Sequence, residues 1–314
     1  MYHKSLFNQH YLQVLSPVYI GSGDTLSPGT YRQEDDRVYI YREDDLFKSV
    51  DSIDHLLNIK TSHITIERII SLDKIKQLTP AQKLHAWEQG IQFDRQVTEL
   101  FMHEGQTRFI PGSSIKGSIL HAIRRHNRAL ERPFSESFAI ADAYFEEHYS
   151  TLQRGVRVTS KKSPSQQKQD NLKEWIVQGR TEAIKAHFRK SDTRLDEKLI
   201  LEAIQAHTEA YLVYQFTYIA YLVSHYDDLN LPIKAHELEF ILELIEWYRG
   251  QNEKDSPLII LGSNTHRFSK TLELEKKPQY SFTYDSDLHP LSRLLIREED
   301  GHFTLPGMVK LVKA

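Results

Sequence analysis

Residues 109–120 read Phe-Ile-Pro-Gly-Ser-Ser-Ile-Lys-Gly-Ser-Ile-Leu. Few architectures accommodate such a run. The preceding Gln106–Pro111 (QTRFIP) has the β-branched and aromatic content of a short strand. Pro111 fixes φ and ends it, and Gly112 permits a turn closed to other residues. Ile115, Ile119, Ala122 and Ile123 then recur at three-to-four spacing, which predicts a helix with one apolar face. Ser113 or Ser114 is the predicted cap. Lys116 falls in the first turn, where it opposes the helix dipole, and an anionic ligand there would repair the conflict. Gly117 costs about 1 kcal/mol relative to Ala inside a helix, which predicts close packing against its backbone. Arg124, Arg125 and Arg128 continue the helix.

A nucleotide-binding loop competes for this segment. It needs G-x-x-x-x-G-K-[ST]. Gly112 and Gly117 have the spacing, but Ser118 stands where the lysine must be. A tight strand–helix corner without any ligand is the other reading.

Charge is unevenly spread. The total is only -3, with 40 Lys+Arg against 43 Asp+Glu. Yet residues 105–132 hold six Lys/Arg and one acid, and residues 151–198 hold twelve against six. Residues 199–256 hold three against ten. A basic middle followed by an acidic helical stretch fits either solvated faces of opposite sign or a polyanion-binding face backed by an outer face. The absence of Cys excludes a disulfide scaffold and a Cys-ligated zinc or iron–sulfur site. No apolar run approaches the roughly 18 residues of a membrane span. The N-terminus lacks the basic-then-apolar order of a secretory signal, so a cytoplasmic protein without membrane partners is expected.

Along the chain, Tyr11–Ile20 reads as a strand interrupted at Ser16-Pro17, then broken by Gly21-Ser22-Gly23-Asp24. Thr30–Gln33 and Arg37–Tyr41 read as strands around an Asp-rich turn. Asp44 or Asp45 is placed to cap a short helix. Residues 64–104 read as mainly helical, with Pro80 in a first turn. Ser160–Asp170 reads as a basic loop. Residues 172–190, 195–225 and 235–249 read as helices, the last stopped by Gly250. Pro257–Gly262 reads as a buried strand with a glycine turn, and Gln279–Tyr284, Leu294–Arg297 and Met308–Val312 as further strands. The order suits an α+β fold in which an antiparallel sheet carries long insertions.

Four pieces resemble the RAMP superfamily of CRISPR effector subunits. They are Leu15–Gly23 (LSPVYIGSG), the hairpin Tyr31–Tyr41 with Asp45-Leu46-Phe47, the loop Phe109–Gly117, and Pro257–Ser263 with Ser269-Lys-Thr271. The third is similar to the superfamily's P-G-S-S-[IL]-K-G signature. Within the superfamily, the resemblance points to the fifth subunit type of the Csm series, at the crRNA 3′ end of type III-A complexes. It implies a ferredoxin-like (RRM-like) antiparallel core in two halves with large helical insertions. The first half covers residues 1–160 with an insertion at about 45–104. The second covers 161–314, helices first and strands after, and both halves pack as one unit. After the basic helix, Ala139–Ala143 keeps the Asp142 of a family strand but lacks its arginine.

The resemblance implies a non-catalytic crRNA-binding subunit, needing neither cofactor nor metal. RNA-binding residues are expected at Gly21, Ser22, Gly23, Pro111, Gly112, Ser113, Ser114, Lys116, Gly117, Arg124, Arg125, Lys161, Lys162, Gly262 and Lys270. Such backbone contacts position a guide and read little sequence. The adjacent backbone subunit of the Csm complex is an expected partner, with target RNA and host 3′-trimming nucleases as further ones. Tyr144, Phe145 and Tyr149 fit either base stacking or ordinary core. Asp142 stands without a metal partner or general base, which favours a capping role over nuclease chemistry. No His forms an H-E-x-x-H pattern. Two alternatives stay open. One is another superfamily member, such as a type III-B subunit or a guide-processing endoribonuclease. The other is a small-molecule phosphate enzyme.

Overall fold

The computed structural model describes residues 4–7, 9–26, 29–50, 66–86, 98–159, 172–189, 195–262 and 292–314. Five strands open the chain: β1 (Lys4–Leu6), β2 (His10–Val14), β3 (Gly21–Leu26), β4 (Tyr31–Glu34) and β5 (Arg37–Ile40). Short helices α1 (Glu43–Ser49), α2 (Ile66–Ile69) and α3 (Leu72–Gln77) follow. Strands β6 (Gln82–His85), β7 (Thr98–Phe101), β8 (His103–Glu104) and β9 (Thr107–Ile110) lead into α4 (Gly112–His126) and α5 (Glu131–Ser137). Next come β10 (Phe138–Ile140), β11 (Ala143–Gln153), β12 (Gly155–Thr159), β13 (Leu172–Thr181) and β14 (Ala186–Phe188). Helices α6 (Glu197–Ser224) and α7 (Ala235–Gln251) precede β15 (Leu258–Ile260), β16 (Ser292–Arg297), β17 (Phe303–Thr304) and β18 (Met308–Lys313).

The α+β class holds. Among the described residues, one twelve-stranded sheet runs β15-β18-β2-β13-β11-β6-β5-β4, with β3, β7, β8 and β9 branching from it. Pairing is antiparallel except for β11 with β6 and β13 with β7. Two three-stranded sheets, β1-β14-β10 and β12-β16-β17, accompany it. β2 lies between β13 and β18, so both ends of the chain share the sheet's centre.

One face of that centre carries Leu12, Val14, Ile176, Val309 and Leu311. It is covered by Ile115, Ile119, Ala122 and Ile123 of α4 and by the start of α6. The spacing that predicts the α4 helix is therefore its buried face. α6 is buried nearly all round, against α4, α7 and β15. Asp196 caps it, its carboxylate accepting from the Leu199 N–H at 2.8 Å.

Several expectations are corrected. Residues 172–190 form β13 and β14, not a helix. Leu172 to Ile176 are all buried, so both faces of the strand are covered and no alternation marks it. Within 64–104 only α2 and α3 are helical among the described residues; Pro80 precedes β6 instead of opening a helix. Gly21-Ser22-Gly23-Asp24 do not break the sheet but begin β3, with an irregular register against β7. Arg42 rather than Asp44 or Asp45 is the N-cap of α1. α7 runs past Gly250 to Gln251, ending at Asn252. The expected loop Ser160–Asp170 and strand Gln279–Tyr284 lie outside the described residues.

A buried ion pair links strands of the large sheet. The Arg108 Nε of β9 donates to Glu174 Oε1 of β13 at 2.9 Å, and its Nη2 donates to Gln82 Oε1 of β6 at 2.7 Å. Glu174 Oε2 also accepts from the Phe101 N–H of β7 at 3.1 Å. The pair thus ties four strands. Removing one partner of a buried pair leaves an uncompensated charge, a loss of about 3–5 kcal/mol. Glu174→Ala should lower stability by that much in urea unfolding. The apolar double variant Arg108→Met with Glu174→Leu should recover much of it.

Candidate RNA-binding site

The strand–helix corner is present as predicted, but its internal bonds differ from expectation. Pro111 is the N-cap of α4 and no side chain caps it. Ser113 is exposed and Ser114 half-buried. The first amide is instead held from outside the helix: the Gly112 N–H donates to Asp142 Oδ1 at 2.7 Å. An acid at a helix N-terminus complements the dipole, so the capping role of Asp142 is the one found. Part of the anion position expected for phosphate is therefore filled by the chain's own carboxylate.

Gly112 is where close packing requires a glycine. A Cβ there would lie 2.2 Å from the Ile140 carbonyl oxygen and 2.9 Å from the Ala141 carbonyl. Gly117, expected to be packed, is not so among the described residues: a Cβ added there would meet no atom of theirs outside its own helix within 4 Å.

Lys116 does not hang free in the first turn. Its ammonium donates to the carbonyls of Ser135 at 2.8 Å and Phe138 at 2.7 Å, at the C-terminal end of α5. The charge that opposes the dipole of α4 thus complements the dipole of α5, and no ligand is needed to repair the conflict. Burial, and then nearby Arg189, hold its pKa below the usual lysine range. Arg124 is paired with Glu131, both partly buried. Arg125 is half-buried on the same helix and Arg128 is exposed. Lys116 and Arg124 are therefore committed to holding α4 and α5 together.

The corner gathers pieces far apart in sequence. Ser118 Oγ donates to the Ile260 carbonyl at 2.9 Å, docking α4 on β15 two residues before Gly262. Gly262 has φ +105, and a Cβ there would lie 2.7 Å from the Tyr19 carbonyl oxygen. The same Tyr19 touches Gly21: a Cβ on Gly21 would lie 2.5 Å from its hydroxyl. Ser22 Oγ donates to the Leu100 carbonyl at 3.4 Å, and Gly23, at φ +86, is exposed. Gly262 thus lies against the Tyr19–Gly21 segment, and α4 docks on β15 just before it; Arg124, further along α4, meets Glu131 instead. Lys161, Lys162 and Lys270 lie outside the described residues.

The aromatic candidates separate. Phe145 is core, edge-on to Phe101 at 6.1 Å. Tyr144 is half-buried against Phe109, at 5.2 Å between rings, and its hydroxyl donates to Glu104. Tyr149 is 40% exposed. Among the described residues no group of three His, Asp or Glu is placed to hold a metal, and no helix is long and apolar enough to cross a membrane. Sequence reasoning missed the Asp142–Gly112 bond and the carbonyl partners of Lys116. The motif is local, while these partners come from the next helix and the segments after it.

A family model of the RAMP superfamily matches residues 11–277. Two solved structures show the same fold. One is a chain of a cryo-EM structure of a Csm–crRNA–target RNA ternary complex in a type III-A CRISPR-Cas system. It has a TM-score of 0.65 at 13% identity, over 98% of this chain and 100% of that one. The other is the crystal structure of T. onnurineus Csm5, with a TM-score of 0.60 at 13% identity, over 95% and 99%. No curated protein matches the sequence.

The corner yields a stability test. Gly112→Ala forces the Ile140–Ala141 backbone to move, a cost of about 1–3 kcal/mol. Asp142→Ala removes the cap, a cost of about 1 kcal/mol. Both should appear as lowered unfolding midpoints, with Asp142→Asn close to the parent.

Proposed function

The chain belongs to the RAMP superfamily, and we propose that within it this protein is a non-catalytic crRNA-binding subunit of a type III-A (Csm) complex, capping the guide at its 3′ end. The single observation that carries the reading is the convergence at the corner. α4 docks through Ser118 on β15, and the Gly262 that follows β15 packs against Tyr19, next to Gly21, so glycine- and serine-rich pieces distant in sequence lie along one stretch of the fold. Such surfaces grip phosphate and ribose without reading sequence, as a variable guide demands. Fold likeness to a chain of a Csm–crRNA–target RNA complex and to Csm5 supports the choice of subunit. The reading carries with it a ferredoxin-like (RRM-like) core in two halves, a neighbouring backbone subunit as partner, target RNA nearby, and residence in the cytoplasm.

Gly117 sharpens the chemistry. It is a helix-interior glycine that no described residue outside its own helix crowds. Its cost of about 1 kcal/mol against Ala is unexplained by packing among the described residues. A phosphodiester lying on that side of α4 explains it. With Lys116 and Arg124 engaged internally, and the Gly112, Ser114 and Ile115 amides bonded to Asp142 and to the Pro111 carbonyl, the grip comes mainly from the exposed Ser113 and the side of Gly117.

Gly117→Ala should therefore stabilise the chain by up to about 1 kcal/mol. Gly117→Glu should fold with little loss yet weaken crRNA retention in a reconstituted complex by at least about tenfold, a 1.4 kcal/mol effect. Retention unchanged in Gly117→Glu would contradict this site. Incubated alone with repeat RNA, the purified chain should leave it intact; cleavage would favour a guide-processing enzyme.

A further inference from the structure

We propose that the open face of the large sheet, on the side opposite α4, is a second RNA-binding surface that takes single-stranded RNA by base stacking. It goes beyond the corner: no residue is shared with that site, and its face is set by the sheet alone. Cross-strand register fixes which side chains share it. Gln13 and Arg180 lie opposite one another on β2 and β13; beyond them the face ends at β18, where Lys310 turns to Gln251 of α7 and Glu253 just after it. Gln178 lies opposite Tyr149 of β11, and Arg37 and Tyr39 of β5 lie opposite His85 and Lys83 of β6. Their neighbours Leu12, Val14 and Leu311 point into the core under α4.

Two clefts run side by side along this face, of about 560 and 400 Å³, sharing His148 and Tyr149 as their common wall. From β5 to β2 the strands span roughly 19 Å at the usual 4.8 Å spacing. The turn after β16 closes one side. There Glu299 Oε1 accepts from the Tyr149 hydroxyl at 2.7 Å and faces the His85 ring, whose other nitrogen lies 2.9 Å from Asp36.

The chemistry of the lining selects the occupant. Cations lie beside rings: the Arg180 guanidinium is 3.9 Å from the centre of the Tyr11 ring, and Arg37 and Lys83 line the other cleft with His85 and Tyr149. Between them Tyr149 is 40% exposed, with the His85 ring 5.8 Å away. Arg37, Lys83, Arg108 and Arg180 line the clefts with Asp36 and Glu147, and Glu299 and Glu146 border them. Arg108 is spent on Glu174. Arg180 faces Glu146 at 3.8 Å with both side chains more than half exposed, a pairing worth little in water. Aromatic platforms interleaved with cations suit unpaired bases and their phosphates. A duplex hides its base faces from such rings. A hydrophobic protein partner would find few exposed aliphatic side chains here. Gln13 and Gln178, both exposed, offer amides to the 2′-hydroxyls that distinguish RNA from DNA.

The test uses the full chain and fluorescence anisotropy with an unstructured oligo(U), the matching oligo(dT), and an RNA duplex. Tyr149→Ala should weaken oligo(U) binding by at least about fivefold, the low end of one lost base stack. Tyr149→Phe, which keeps the ring and loses the Glu299 bond, should bind like the parent. Lys83→Ala with Arg180→Ala should lower the salt slope by about 1.4, two single-strand phosphates. Oligo(U) carrying 4-thiouridine should crosslink to Tyr149 or Tyr11. Gly117→Glu should leave all these effects in place, so failure of the corner and failure of this face read differently. Four results would overturn the proposal: unchanged oligo(U) affinity in Tyr149→Ala, equal losses on the duplex, equal affinity for oligo(dT), or Tyr149→Phe as weak as Tyr149→Ala.

Discussion

The approach of the Gly112 backbone to the Ile140 carbonyl governs the rest of the structure. No side chain fits in that gap, and the Asp142 carboxylate locks it by taking the Gly112 amide. Together they set the angle at which α4 leaves β9. That angle lays Ile115, Ile119 and Ile123 over the central strands and brings Ser118 to the Ile260 carbonyl. Through β15 and β18 the C-terminal strands then join β2. A defect of one methyl group at position 112 would therefore propagate into both the core and the proposed binding region.

Charge in this protein is allocated before any ligand arrives. Lys116 stabilises the end of α5, Arg124 meets Glu131, and Arg108 is buried with Glu174. A count of basic residues overstates what an RNA strand can use. What stays at the corner is the exposed Ser113 and the side of Gly117 that no described residue outside its helix crowds. The opposite sheet face works differently, with the Arg180 cation resting on the Tyr11 ring. One sheet thus separates two proposed modes of recognition. One side is buried under a helix whose outer surface approaches phosphate; the other is left open to bases.

Legibility in the sequence follows the range of the forces involved. The Pro111-Gly112 corner and the apolar stripe of α4 are readable because each depends on neighbours within a few residues. The hairpin Tyr31–Ile40 is readable for the same reason, its turn carrying Asp35 at φ +52. β13 reads as a helix because burial on both faces erases alternation, and its partners come from β2, β7 and β11. Lys116 reads as a ligand-binding cation because its true acceptors lie in and after the following helix. The face built by Tyr11 and Arg180 has no local signature, since the two residues meet only through the register of β2 and β13.

The central claim is that the outer surface of the α4 corner touches guide RNA. A photoreactive benzophenone side chain at the exposed Ser113 measures this directly in the assembled ribonucleoprotein, with the same group at the exposed Trp247 of α7 as control. Crosslinks to crRNA from position 113 and none from position 247 are the expected result. Crosslinks from position 113 to protein alone would contradict it.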